Sequence, residues 1–510
     1  MSSVAELERE VEATRCKLRE LEMQLSDARE RLASDNASGN QQVCSSTCAE
    51  ASAAPVDGKG HSDMPIKAFV SSANSLTKDD IERFSRQMIL EDIGAVGMER
   101  IRCGRVLLVG AGGLGSTIAL FLAAAGVGEL CIVDFDLVEL SNLHRQVIHT
   151  TERVGLPKAE SAARSCRALN PEIKVRTVAV PFSPANAEQL VSNFDVVVDG
   201  TDNVSARYVV NDAAARQRRP LVSGSALRWE GQLSVYCSGE TVPCYRCLFP
   251  SPPPPAATGS CNNTGVAGPV PGCIGCLQAL ETLKLLSGAG DVLAGRMLLF
   301  DGLRMRVRIV SLRKRQINCP ACGEGEMKRK HVPLHQLAAE RPEYAVAPCD
   351  SGIATSARLL PEAARISPQE FHTRREQENG ELKKFITLDV RTRVQFDMAH
   401  LPHSVSLPLP QLQEWKRDGV LASEWRRFIS AHLSGDETEV DVFVLCRRGV
   451  TSVAATQLLL PLQHCGVEAD GMHGEPPTFA GCESVHFRFM NVDGGLNAYH
   501  TQVDSDFPFY

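Results

Sequence analysis

Two rhythms of apolar and polar positions divide the chain. Short apolar runs at 105–110, 130–134 and 194–199 are separated by stretches of helical spacing. This alternation, from Ser75 to about Lys330, predicts an α/β fold built on a doubly wound parallel sheet. A second α/β unit begins near Ile366, with strands at 386–390 and 441–445. At the other end, Val4, Leu7, Val11, Thr14, Leu18, Leu21, Leu25, Ala28 and Leu32 recur in steps of three and four. That is a heptad seam of about four repeats, either a coiled coil pairing two chains or a lone charged helix. The expected organisation is a helix over 1–34, a Ser/Ala/Asn/Gly-rich linker over 35–75, a domain over 76–335, a second linker over 336–364 and a domain over 365–510.

Composition narrows the class. At 510 residues the chain exceeds one hydrophobic core, and 43% hydrophobic with 23% charged residues is ordinary for a globular protein. A formal charge of −7 argues against a general nucleic-acid binder. No apolar run is long enough to span a bilayer, and the first residues lack a signal-peptide pattern, so a cytosolic protein without membrane contact is expected. There, 18 cysteines point to metal and thiol chemistry rather than structural disulfides.

The richest segment is RVLLVGAGGLGSTIAL…CIVDFDLVELSNLHRQ, residues 105–146. Gly110, Gly112 and Gly115 form G-x-G-x-x-G between a strand and a helix, a context that brings backbone N–H groups to a phosphate. Asp134 is spaced to hold a ribose hydroxyl. Alone, this motif points first to an NAD- or FAD-binding enzyme. Arg145, in the polar run Ser141-Asn142-Leu143-His144-Arg145-Gln146, and Lys158 add cations suited to charge growing on a leaving pyrophosphate. Asp202, ending FDVVVDGTD, could hold Mg²⁺, orient a nucleophile or cap a helix.

Cysteines carry the other signals. Cys244-x-x-Cys247 and Cys319-x-x-Cys322 suit a closed tetrahedral Zn²⁺ site clamping two distant segments, or one pair could be a redox dithiol. Cys261 follows a proline run, in a loop that would leave its thiol exposed; Cys273 and Cys276, its competitors as reactive thiols, follow in a helix, where packing is expected. Cys446 opens Cys446-Arg447-Arg448-Gly449-Val450-Thr451-Ser452 directly after the strand DVFVL. A cysteine at such a turn points into backbone N–H groups, and the arginines add positive potential, which favours a thiolate or persulfide anion. A phosphatase C-x₅-R loop is disfavoured, because Ser452 stands where the arginine is needed. Arg304, Arg306 and Arg308, with Lys328-Arg329-Lys330, could meet an acidic partner or form a solvated face.

Residues 105–146, 155–160 and 199–212 resemble the adenylating domain of the ubiquitin-activating (E1-like) superfamily, in the branch that activates sulfur-carrier proteins. The resemblance spans about residues 76–325. It implies ATP–Mg²⁺ and adenylation of the C-terminal glycine of a ubiquitin-like carrier. By motif, Gly113 lies in the phosphate loop, Asp134 at the ribose, and Ser141, Asn142, Leu143, His144, Arg145, Lys158, Asp202 and Asn203 at nucleotide or metal. Arg86, in ERFSRQMIL, matches an arginine offered across a homodimer interface, and Cys261 matches a loop cysteine that links to the carrier's C-terminus. The family's knuckles also favour zinc at the paired cysteines.

Residues 386–409 and 491–510 resemble the start and end of a rhodanese domain, in which Asp389, Arg391 and His400 have structural roles. The loop CRRGVT is closer to thiosulfate-using rhodaneses than to the Asp-ended loop common in fused eukaryotic enzymes. Together the two halves resemble the fused adenylyltransferase–sulfurtransferase type, serving molybdenum cofactor synthesis and tRNA thiolation, with a sulfur donor such as a cysteine desulfurase. The alternatives are an E1 for ubiquitin-like conjugation, a non-catalytic scaffold and a nicotinamide oxidoreductase.

Overall fold

The computed structural model describes residues 76–252, 265–325, 332–344, 359–376, 385–433, 439–463 and 485–508. The expected N-terminal helix and linker, Cys261, the proline run after Pro252 and Lys328-Arg329-Lys330 lie outside the described residues.

After helices α1 (Lys78–Met88) and α2 (Gly94–Cys103) the chain builds an eight-stranded sheet, in the order β3-β2-β1-β4-β5-β6-β7-β8. Its strands are β1 (Arg105–Val109), β2 (Glu129–Val133), β3 (Lys174–Val178), β4 (Val196–Asp199), β5 (Leu221–Leu227), β6 (Glu230–Tyr236), β7 (Arg296–Asp301) and β8 (Arg306–Ser311). The first five pair in parallel. From β5 onward the pairing is antiparallel, so the sheet is mixed where the sequence rhythm predicts it parallel. A two-residue turn joins β5 to β6 and a four-residue one joins β7 to β8, too short for a parallel crossover, whereas β6 reaches β7 by way of residues 237–295.

Burial on both faces explains the continuous apolar runs. Val106 and Leu108 of β1 enter one core with helices α3 (Gly113–Ala124), α4 (Lys158–Leu169) and α6 (Pro269–Ser287). Leu107 and Val109 enter the opposite core, under helix α5 (Val204–Arg216). At the far edge every residue of β8 is exposed, Val307 and Ile309 as well as the arginines.

Residues 336–344, read from sequence as the start of a linker, pack on this domain. Leu337 and Tyr344 join the α5-side core with Leu334. Beneath them Asp212 is fully buried and accepts from Arg246 Nε at 2.8 Å, Arg341 Nη1 at 2.5 Å and the Tyr344 hydroxyl.

The second sheet has five parallel strands, in the order β11-β10-β12-β13-β9. They are β9 (Arg365–Ile366), β10 (Phe385–Asp389), β11 (Ser404–Ser406), β12 (Glu439–Leu445) and β13 (His486–Val492). Trp425, Phe443 and Phe489 are essentially inaccessible in its cores.

Candidate functional sites

Glycine replaces any larger residue in the first loop for a steric reason. A Cβ on Gly115 would lie 2.0 Å from the Gly110 carbonyl oxygen, so α3 approaches the end of β1 only because that atom is missing. Gly112 is the N-cap of α3, and Gly113 its first residue. The amides there have no intrahelical acceptor, the arrangement in which a helix start can receive an anion. Asp134, just beyond β2, faces this loop: its Oδ2 accepts from Ala111 N–H at 2.7 Å and its Oδ1 from Asp136 N–H at 2.9 Å. Burial raises its pKa, countered by Lys158 and these two amides.

Lys158 is buried at the start of α4, with Nζ 2.9 Å from Asp136. The polar run after Asp134 folds into one network. Ser141 and His144 are exposed and Leu143 half-buried. Arg145 donates to Asn142 Oδ1 at 2.7 Å, and Asn142 donates to Glu139 at 2.9 Å. The buried Gln146 lies beside Gly112, and its Oε1 has no hydrogen-bond partner among the described residues.

Two aspartates divide the labour after β4. The strand ends at Asp199 rather than Asp202. Asp199 is fully buried and accepts from Thr201, Ser223 and Arg207, while Gln278 of α6 donates to its carbonyl at 2.7 Å. Asp202 is exposed at the same sheet edge. The helix N-cap is Asn203, which accepts from Ala206 N–H at 2.7 Å, so Asp202 has no capping duty. Arg86 is exposed on α1, as a helix-surface charge.

The loop holding Cys261 returns to the described chain at Gly265, whose carbonyl accepts from Arg228 N–H at 3.0 Å in the β5–β6 turn. Gly268 then abuts the His144 carbonyl. The loop therefore ends beside the polar run. Cys273 is exposed and Cys276 half-buried on α6, so the expected packing of this pair holds only for Cys276.

The four paired cysteines converge, with all sulfur atoms within 4.8 Å of one another and every residue buried. Neighbouring sulfurs lie 3.4–3.8 Å apart, close to the roughly 3.8 Å edge of a tetrahedron with Zn–S bonds of about 2.3 Å. Amide N–H groups of Gln316 and Ala321 donate to Cys247 and Cys319, as thiolate ligands require. The donor set fits Zn²⁺.

In the second domain Cys446 follows β12 and precedes helix α7 (Thr451–Leu459). Its Sγ accepts from Gly449 N–H at 3.1 Å and lies 3.1 Å from the Ser452 hydroxyl. Gly449 has φ +77°, and a Cβ there would strike Gly494 N at 2.6 Å. Leu496 and Asn497 N–H groups hold the carbonyls of Cys446 and Arg447 at 2.9 Å. The loop is thus fixed from both sides. Half-buried Arg447 and Arg448 flank it, and burial together with Arg448 lowers the pKa of Arg447. Asp389 and Arg391 form a buried pair at 2.9 Å, and the exposed His400 stacks on Phe396 at 4.1 Å.

Fold and sites thus describe an E1-like nucleotide-binding domain followed by a rhodanese-like domain. The ThiF family profile matches residues 84–321, and the rhodanese-like domain profile residues 367–502. Over most of its length the chain resembles "Adenylyltransferase and sulfurtransferase MOCS3-1" of Zea mays, 41% identical over 86% of this chain and 85% of that one. The Arabidopsis thaliana MOCS3 is 40% identical, covering 86% and 87%, and the Danio rerio protein 39%, covering 89% and 94%. The chain belongs to this family of fused adenylyltransferase and sulfurtransferase enzymes.

Proposed function

We propose that the chain uses ATP to adenylate the C-terminal glycine of a ubiquitin-like sulfur carrier, then converts it to a thiocarboxylate for tRNA wobble-uridine 2-thiolation, molybdenum cofactor synthesis or both. The observation that carries this is the pairing, on one chain, of a glycine loop bonded to Asp134, with Lys158 on the adjoining helix, and a sulfur cradle at Cys446.

The carrier carboxylate attacks the α-phosphorus, and pyrophosphate leaves against the α3 amides, Arg145 and Lys158. Asp202 would hold Mg²⁺, which neutralises phosphate charge when bound, with Ser141 to His144 and Asn203 around the nucleotide. The terminal sulfur of a Cys446 persulfide then attacks the acyl carbon and displaces AMP. Cys261 resolves the resulting acyl disulfide by forming a disulfide with Cys446, which releases the thiocarboxylate. The reading includes zinc at Cys244, Cys247, Cys319 and Cys322, a homodimer with Arg86 reaching the partner's site, a cysteine desulfurase as sulfur donor, domains over 76–335, extended by the packed residues 336–344, and over 365–510, and a cytosolic location without direct nucleic-acid or membrane contact. A conjugating E1 is disfavoured, because the domain after the zinc knuckles is rhodanese-like.

ATP–pyrophosphate exchange with carrier present tests the first half. Asp202→Ala is expected to reduce it at least about 100-fold; exchange at the wild-type rate refutes the assignment.

A further inference from the structure

Between the polar run and Lys158 stands a residue that neither motif absorbs. His149 is only 5% exposed, with Nε2 3.1 Å from the Ala111 carbonyl oxygen and Nδ1 2.9 Å from the Ser161 hydroxyl. A carbonyl can only accept, so Nε2 carries the hydrogen, Nδ1 accepts and Ser161 donates: one neutral tautomer satisfies all three groups. Ala111 is consequently held on both sides, its N–H by Asp134 and its C=O by His149.

We propose that His149 is a positioning residue of the adenylation site, which holds the Ala111 carbonyl so that the Ala111–Gly112 peptide turns its N–H toward the triphosphate. This deepens the adenylation reading and rests on it. The peptide is trans, and its C=O and N–H point in opposite directions. Drawing the carbonyl into the core therefore turns the Gly112 N–H the other way, into the row of free amides at the start of α3. Gly112 and Gly113 carry no side chain to fix that plane sterically, so a hydrogen bond must do so. Ser161 lies one turn beyond Lys158 on α4, and the same chain of bonds ties the phosphate loop to the helix bearing that lysine. With its Nε2 engaged by the backbone and its ring buried, His149 does not face the reacting carboxylate. Desolvation, with Lys158 and Arg153 nearby, pushes its pKa down to about 4, consistent with a neutral ring at physiological pH.

The test is ATP–pyrophosphate exchange by the full chain with carrier, comparing wild type with His149→Leu, His149→Gln and Ser161→Ala. His149→Leu is expected to raise the KM for ATP about tenfold with kcat within about twofold, since it removes one bond that shapes the ground-state phosphate site. His149→Gln, which keeps a donor, recovers most of that loss, and Ser161→Ala shifts KM the same way by less. The pH profile from about pH 5.5 to 9 keeps its shape in His149→Gln. An unchanged KM in His149→Leu, equal defects in Leu and Gln, or a kcat limb lost near neutrality would each overturn the proposal. If His149→Leu does not fold, Ser161→Ala and His149→Gln decide by the same criteria. Absence of exchange in wild type would instead refute the adenylation reading.

Discussion

At the scale of the residue, much of the chemistry depends on what the backbone is allowed to do. Restoring one methyl group at Gly115 would drive α3 off β1, because the contact it meets is a carbonyl rather than a flexible side chain. Gly115→Ala is therefore expected to weaken ATP binding by more than about tenfold and to lower Tm, read by calorimetry and thermal unfolding; unaltered binding would remove the steric argument. His149 makes a second prediction. Its folded pKa of about 4 lies below the ordinary value of 6.5, so the unfolded chain binds the proton first on acidification. Stability contributed by the neutral ring is present above about pH 6.5 and is lost as pH falls toward 4. Denaturant midpoints should fall more steeply with acid in wild type than in His149→Gln. Asp134 was legible in the sequence through its spacing from the glycine loop, and Lys158 and Asp202 through their joint occurrence with that loop. His149, Gln146 and Asp199 were not, because they act on backbone groups or on one another, and a lone buried polar residue has no periodicity.

The elements show a comparable division. The apolar runs mark β1, β2, β4, β10 and β12 to within two residues or so, because strands buried on both faces are nearly continuous in sequence. Strands β5 to β8 are less regular, and the antiparallel pairing of β5 with β6 and of β7 with β8 follows from short turns rather than composition. Residues 336–344 resemble a linker because they form short turns with no helical or strand period, yet Leu337 and Tyr344 complete a core. Asp212 binds that segment to α5 and to the helix bearing Cys247, through Arg341 and Arg246. Asp212→Asn would take the buried carboxylate away from Arg341 and from Arg246, which keeps Glu343. The expected cost is about 3–5 kcal/mol in urea unfolding, and a change below about 1 kcal/mol would show the network to be dispensable.

For the whole molecule, two chemistries depend on two rigid frames. The cysteine quartet closes the first by joining residues 244–247 to residues 319–322, far apart in sequence. Chelation or Cys319→Ser should release zinc, measured by atomic absorption, and lower Tm by on the order of 10 °C; metal content and Tm unaffected by Cys319→Ser would exclude the site. The second frame presents Cys446 between a strand end and a helix, a placement read from DVFVLCRRGVTS. The clamp by Gly494 and Gly495 was not legible, since it comes from a distant segment. Mass spectrometry of the carrier after incubation with ATP, Mg²⁺, a sulfur donor and the full chain tests the central claim most directly. A C-terminal thiocarboxylate is expected with wild type, none with Cys446→Ser although pyrophosphate exchange persists, and neither product nor exchange with Asp202→Ala. Thiocarboxylate formed at the wild-type rate by Cys446→Ser, or none formed by the intact enzyme, would contradict that claim.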